Sequence, residues 1–391
     1  MVDDSETLAP TQALTEVPAI VPMPAEQGRA IFVDGIRGWA SLMVLFSHLV
    51  VFFFSNSIPA LKPWIFGVAA DGDLAIYIFF VLSGFALSIG YVQTGKLQIL
   101  TALALRRYVR LAIPIVSTIF CAYLLLEFGL FYNIEAGKLS GNVWPLDFYT
   151  FPPDLFNSMK FALYGVFTYW DASLSYNPVL WTMSIELWGS FVVFSICALV
   201  LHLRTRMLIL GVILFYFYLM NNYYYLPFIS GICIAIFYHN PNEKIARTIS
   251  YLSPMLLGLV IYYSGSTMRG ALFDIPVIPR SGNLNVLAAS VLVFVVLCTP
   301  ILRTFFQNRL SRYLGSISFP LYLTHFLIIC SFSSFVLIKL QRMGFSTVQG
   351  NAINCVMSLV FCMVVAHFFR PVEAFAIQTA RKFSDVLMRV A

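Results

Sequence analysis

The chain has 391 residues, of which 60% are hydrophobic and only 11% charged, with a formal net charge of +6. That balance excludes an ordinary soluble globule. The apolar runs are long and continuous rather than alternating at every second residue in pieces of about ten, which excludes an outer-membrane barrel. The expected fold is all-α, a polytopic integral membrane protein with about ten transmembrane helices.

Residues 1–30 are rich in Pro, Ala, Thr and acids and lack the basic and then apolar order of a signal peptide, so they are expected to form a disordered cytoplasmic tail. Apolar runs of spanning length follow at about 38–54, 74–91, 111–131, 179–202, 207–220, 225–238, 250–263, 286–302, 317–338 and 352–369. Residues 31–371 read as one transmembrane domain and 372–391 as a short cytoplasmic tail. With the N-terminus inside, 17 of the 24 Lys and Arg fall on the cytoplasmic side. The seven outside are Lys62, Lys138, Lys160, Arg269, Arg280, Lys339 and Arg342. This asymmetry places both termini in the cytoplasm.

The first run, FVDGIRGWASLMVLFSHLVVFFF, carries Asp34 and Arg37 at its entrance and His48 well inside. An ionisable group at that depth is costly and marks a functional position facing the protein interior. Arg37 and His48 are eleven residues apart, three helical turns plus about 20°, so both project from one face roughly 16 Å apart.

The second run opens on Asp71, Gly72 and Asp73 and continues LAIYIFFVLSGF, in which Ser83 and Gly84 permit close helix packing. The third begins RRYVRLAIP, and Arg106, Arg107 and Arg110 can crowd one flank at the cytoplasmic boundary. Such a fork suits phosphate recognition, and positive-inside anchoring would place arginines there as well.

The long external connection, 132–178, holds Trp144, Asp147, Tyr149, Asp154, Tyr169, Trp170 and Asp171. Rings beside acids suit a sugar, although aromatic residues also gather at membrane interfaces. In NPVLWTMSIELWGSF, Glu186 sits roughly 10 Å into a helix entering from outside. It can orient an imidazole acting as general base, or it can serve as structural partner to an arginine or a hydroxyl. His325, in LGSISFPLYLTHFLI, can bind acceptor or be a hydrogen-bonded core histidine. His202 and His239 sit at helix ends, where a carbonyl suffices, and His367 lies in an end cluster with Arg370 and Glu373. The seven cysteines form no CxxC pair and imply neither a disulfide framework nor a zinc site.

Assembled, these motifs resemble the membrane-bound acyltransferase 3 group. The first helix reads D-G-x-R-G-x-A-x-x-x-V-x-x-x-H at Asp34, Gly35, Arg37, Gly38, Ala40, Val44 and His48. IFFVLSGF, the R-x-x-R of Arg107 and Arg110, LWTMSIE and LGSISFPLYLTH follow in the family's order, together covering nearly the whole chain. The resemblance implies about ten helices and an acyl-CoA donor, often acetyl-CoA, arriving from the cytoplasm. It carries the family's essential histidine to His48, its paired arginine to Arg37 and its R-x-x-R arginines to Arg107 and Arg110, while Glu186 matches the glutamate of a W-S-L-x-x-E-like stretch.

The expected site therefore has His48 and Glu186 as catalytic groups and Arg37, Arg106, Arg107 and Arg110 holding acyl-CoA. Asp34, Trp181, Ser184 and His325 are expected to contact substrate, with no metal and no nucleic acid involved. The expected function is transfer of an acyl group, acetyl foremost, to a hydroxyl of an extracytoplasmic or membrane-associated acceptor such as a polysaccharide or other glycan. The rival is a membrane transporter with buried ionisable residues. Against it stands the lack of Gly/Pro-broken helices in two matching halves.

Overall fold

A computed structural model describes residues 30–49, 53, 69–168, 171, 174–264 and 281–390. The expected tail before Ala30, and the positions Lys62, Tyr169, Trp170, Arg269 and Arg280, lie outside the described residues. Every regular element among the described residues is helical, as the composition requires, because helices satisfy their backbone polar groups internally where no water can.

Helix α1 is Ile31–Leu49. Helix α2, Gly72–Thr94, starts where Asp71 accepts from the Leu74 amide at 3.0 Å and ends at the left-handed Gly95, φ 66°, whose N–H returns to the Tyr91 carbonyl. Helix α3 is Leu97–Glu127. The connection expected to be external folds into the short helices α4, Asn133–Ser140, and α5, Leu155–Lys160, the latter capped by Asp154. Then come α6, Trp181–Val200, α7, Arg206–Leu219, α8, Leu226–His239, and α9, Glu243–Ser264.

Helix α10, Gly282–Cys298, turns by 101° into α11, Pro300–Phe306. The break follows from Pro300, which pushes Thr299 into the extended region, φ −106° and ψ 109°, and so stops the first helix. Helix α12, Arg309–Ile328, continues through a π-turn at Ile329–Ser333 into α13, Ser334–Arg342. Helix α14 is Thr347–Val390.

The described part of each of the ten apolar runs is largely helical, but helix lengths do not confirm ten spans. Six helical stretches are long and apolar enough to cross a bilayer, or seven if the bent pair α10 and α11 counts as one, among the described residues. Helices α7 and α8 are apolar but short, with 14 residues each. The last run also extends further than its apolar stretch suggests. Helix α14 does not stop near 371 but has 44 residues, about 66 Å, against a hydrocarbon core of about 30 Å. Its far half carries Ala376, Ala380 and Ser384 at intervals of four, all buried, which lets it lie along α3.

Close crossings fix the helices that carry the candidate residues. Helices α1 and α12 run side by side in the same direction, and a Cβ added at Gly38 would strike Gly315 and Leu314, while one at Gly35 would strike the Phe306 carbonyl. Gly84 meets the Phe228 backbone in the same way where α2 crosses α8, so the small residues of the VLSGF stretch do serve close packing.

Candidate active site

Two groups of side chains lie along α1. Near its N-terminal end is a cavity of about 110 Å³ lined by Asp34, Arg37, Ser83, Arg107, Arg110, Thr182, Glu186, Tyr322 and Glu373, with Phe79, Phe80 and Phe319 among its apolar walls. Arg107 and Arg110 reach it together because residues three apart share a helix face. Arg106 does not. Although it lies four residues from Arg110 and on the same flank, Arg106 donates to the Ser384 hydroxyl at 2.6 Å and pairs with Asp385 at 3.0 Å, which turns it away and ties α3 to the far half of α14.

Glu186 is held on both oxygens. Ser83 donates to Oε1 at 2.8 Å and Arg107 pairs with Oε2 at 2.5 Å. The structure therefore gives Glu186 an arginine and a hydroxyl as partners, the alternative left open by the sequence, and no bond to the His48 ring. Arg107 Nε is buried without a protein partner, and Arg37 forms no hydrogen bond or ion pair among the described residues. In a cavity that Asp34, Glu186 and Glu373 also line, these guanidinium donors are the groups that suit an anion.

The second group is a histidine pair. His325 Nε2 lies 3.2 Å from His48 Nδ1, although 277 positions separate them in sequence. Helix geometry brings them together, since each stands ten residues after the glycine at which α1 and α12 touch.

The neighbouring carbonyls fix the tautomers. His48 Nδ1 is 3.0 Å from the Val44 carbonyl and His325 Nδ1 is 3.0 Å from the Leu321 carbonyl. A carbonyl only accepts, so both Nδ1 atoms carry protons. His325 Nε2 then accepts from His48 Nδ1–H, and His48 Nε2 is left with its lone pair. Trp144 of the external connection stacks on His48 with ring centroids 5.9 Å apart, and Phe326 meets the same ring edge-on at 5.6 Å. The arrangement is an imidazole with one nitrogen held by a neutral acceptor and one face covered by an indole.

The remaining expected residues divide. Tyr322 bridges the two groups, donating to the Val179 carbonyl and sharing a 2.7 Å hydrogen bond with Thr182 while its ring centroid lies 6.0 Å from that of His325. Asp34 borders the arginine cavity. Trp181 faces a different cavity, and the Ser184 hydroxyl donates to the Trp181 carbonyl. The rings of the external connection largely pack on one another, with Phe131 on Tyr149 and Phe151 on Tyr176. From the sequence Ser83 was read as a packing residue and Glu373 as part of a helix-end cluster, and Tyr322 was not singled out although it lies inside the LGSISFPLYLTH motif.

Compared with known proteins, residues 31–367 match the model of a family described as an acyltransferase domain. No curated protein and no solved structure matches the chain.

Proposed function

Because the chain belongs to the acyltransferase family whose model covers residues 31–367, we propose that it moves an acyl group, acetyl foremost, from cytoplasmic acyl-CoA to a hydroxyl of an extracytoplasmic or membrane-associated glycan. The observation that carries this reading is the pairing of an arginine-lined cavity with a histidine base on one helix, about 16 Å further along. Arg37, Arg107 and Arg110 hold the phosphates of coenzyme A, and the extended arm of the donor follows α1 toward His48. His48 Nε2 takes the proton of the acceptor hydroxyl as its oxygen bonds to the thioester carbonyl carbon. The carbon–sulfur bond breaks, and the imidazolium returns the proton to the departing sulfur. His325 supports the charged ring because its Nε2 accepts a stronger hydrogen bond from His48 Nδ1–H once His48 is protonated. Glu186 acts at the other end, keeping Arg107 extended into the cavity.

The purified protein in lipid nanodiscs is expected to release coenzyme A slowly from acetyl-CoA without an acceptor, which a carrier would not do. Arg107→Lys should weaken acetyl-CoA binding although the charge is kept, because a lysine supplies a point charge in place of a fork. No thiol release, together with an unchanged dissociation constant in the folded variant, would remove the donor reading.

The same reading sets the direction of transfer, with both termini cytoplasmic and the connection carrying α4 outside. A cysteine at Ser140, placed in a background with the exposed Cys121 replaced, should react with an impermeant maleimide on intact cells. Protection until lysis would reverse the topology.

A further inference from the structure

A second cavity, of about 250 Å³, is lined by Asp73, Tyr77, Trp181, Tyr223, Tyr224 and Asn285. It is formed where α2, α6 and α10 begin and where the turn before α8 passes them. Ile76 borders both this cavity and the arginine cavity, so the two share a wall residue. Gly72, the neighbour of Asp73 on its rim, packs against Ser47, the neighbour of His48. The cavity thus lies at the histidine end of the molecule.

Its lining combines rings with unused donors. Tyr77 and Tyr224 stack with centroids 6.0 Å apart and planes 16° from parallel, and Trp181 meets Tyr224 at 5.6 Å and 68°. The hydroxyls of Tyr77, Tyr223 and Tyr224 form no hydrogen bond among the described residues, although Tyr77 is only 5% exposed. Asn285 Oδ1 accepts from Tyr263 at 2.8 Å, which orients the amide so that Nδ2 remains for a ligand. Buried polar groups are normally satisfied by protein or by ligand, and three phenols and an amide around one space are more than a structural water would require. The space itself is several times the roughly 30 Å³ share of one water.

We propose that this cavity is the acceptor subsite and that it holds a single pyranose ring. A pyranose presents axial C–H bonds to an aromatic face and a belt of hydroxyls at its edge. Trp181 and the tyrosine stack supply the face, and the phenols, Asn285 and Asp73 pair with the belt. This inference rests on the acyltransferase reading and deepens it, giving the glycan acceptor a place in the molecule and limiting what is bound there to one ring. It also places the sugar site in the walls between α2, α6 and α10, whereas the external connection 132–178 contributes Trp144 as a cover over His48.

The test uses the full chain in nanodiscs with acetyl-CoA and three probes, the methyl glycosides of glucose, galactose and mannose. Thiol release and mass spectrometry of the glycoside are read together. At least one probe should accelerate thiol release and gain an acetyl group. The triple variant Tyr77→Phe, Tyr223→Phe and Tyr224→Phe should raise the KM for that probe tenfold or more, with its dissociation constant for acetyl-CoA within twofold of the parent's as the control for folding. An unchanged KM overturns the proposal, and so does cyclohexanol being acetylated as fast as the best glycoside. If the parent protein releases no thiol at all, the acetyl-CoA reading fails separately. Calorimetric binding of the glycosides, lost in the triple variant, then still supports the cavity assignment, and absence of binding to the parent overturns it.

Discussion

His48→Ala lowers the turnover of acyl transfer by about 10²- to 10⁴-fold, the usual worth of a positioned general base, while acetyl-CoA continues to bind. The expectation follows from the lone pair on Nε2, the only ring nitrogen of the histidine pair not engaged by a carbonyl or by the other ring. A neutral imidazole nitrogen with a free lone pair is the form that can take a hydroxyl proton and return it. His325 acts through His48, so its substitutions should form a graded series. His325→Gln retains an oxygen that can accept from His48 Nδ1–H and should keep more activity than His325→Leu, and both should exceed His48→Ala. Full activity in His48→Ala with none in His325→Gln would put the base on α12.

Glu186→Leu is the second large effect, and it should appear in stability before it appears in rate. The Arg107 and Glu186 side chains are only 11% and 12% exposed. Removing the carboxylate leaves the guanidinium buried and uncompensated, a change that typically costs about 3–5 kcal/mol. The double variant Arg107→Met, Glu186→Leu removes both charges and should recover most of that loss in thermal unfolding, without recovering acetyl-CoA binding. A single Glu186→Leu variant with parental stability and a collapsed kcat would instead mean that the carboxylate serves the chemistry directly.

The contrast between Arg37 and Arg106 shows what could be read from the chain and what could not. Relations within one helix were legible, because 3.6 residues per turn fixes which side chains share a face. This holds for Arg37 with His48 and for Arg107 with Arg110. The same rule does not exclude Arg106, which is four residues from Arg110 and on the same flank; its partners Ser384 and Asp385 on α14 draw it away, and they are a relation between helices. Relations between helices were not legible. Nothing local links His48 to His325 or tells Glu186 to choose Arg107 over an imidazole, since those choices are made by where helices cross. The helical course of the last residues could have been found from the small side chains of Ala376, Ala380 and Ser384, four apart, which outweigh Pro371 and the loss of apolar character beyond it. The count of ten crossings is not confirmed among the described residues, where α7 and α8, at about 21 Å each, are shorter than the hydrocarbon thickness.

The contact of Gly38 with Gly315 has a mechanical consequence. Two parallel rods joined at one point keep their later positions in step, so the ten residues that follow each glycine act as matched arms about 15 Å long. A side chain forced between the rods at the pivot would splay them, and the error would be carried undiminished to the imidazoles. The spacing of the catalytic atoms is thus calibrated at the opposite end of the helices, where no chemistry occurs, and a methyl group there could uncouple the pair without touching either ring.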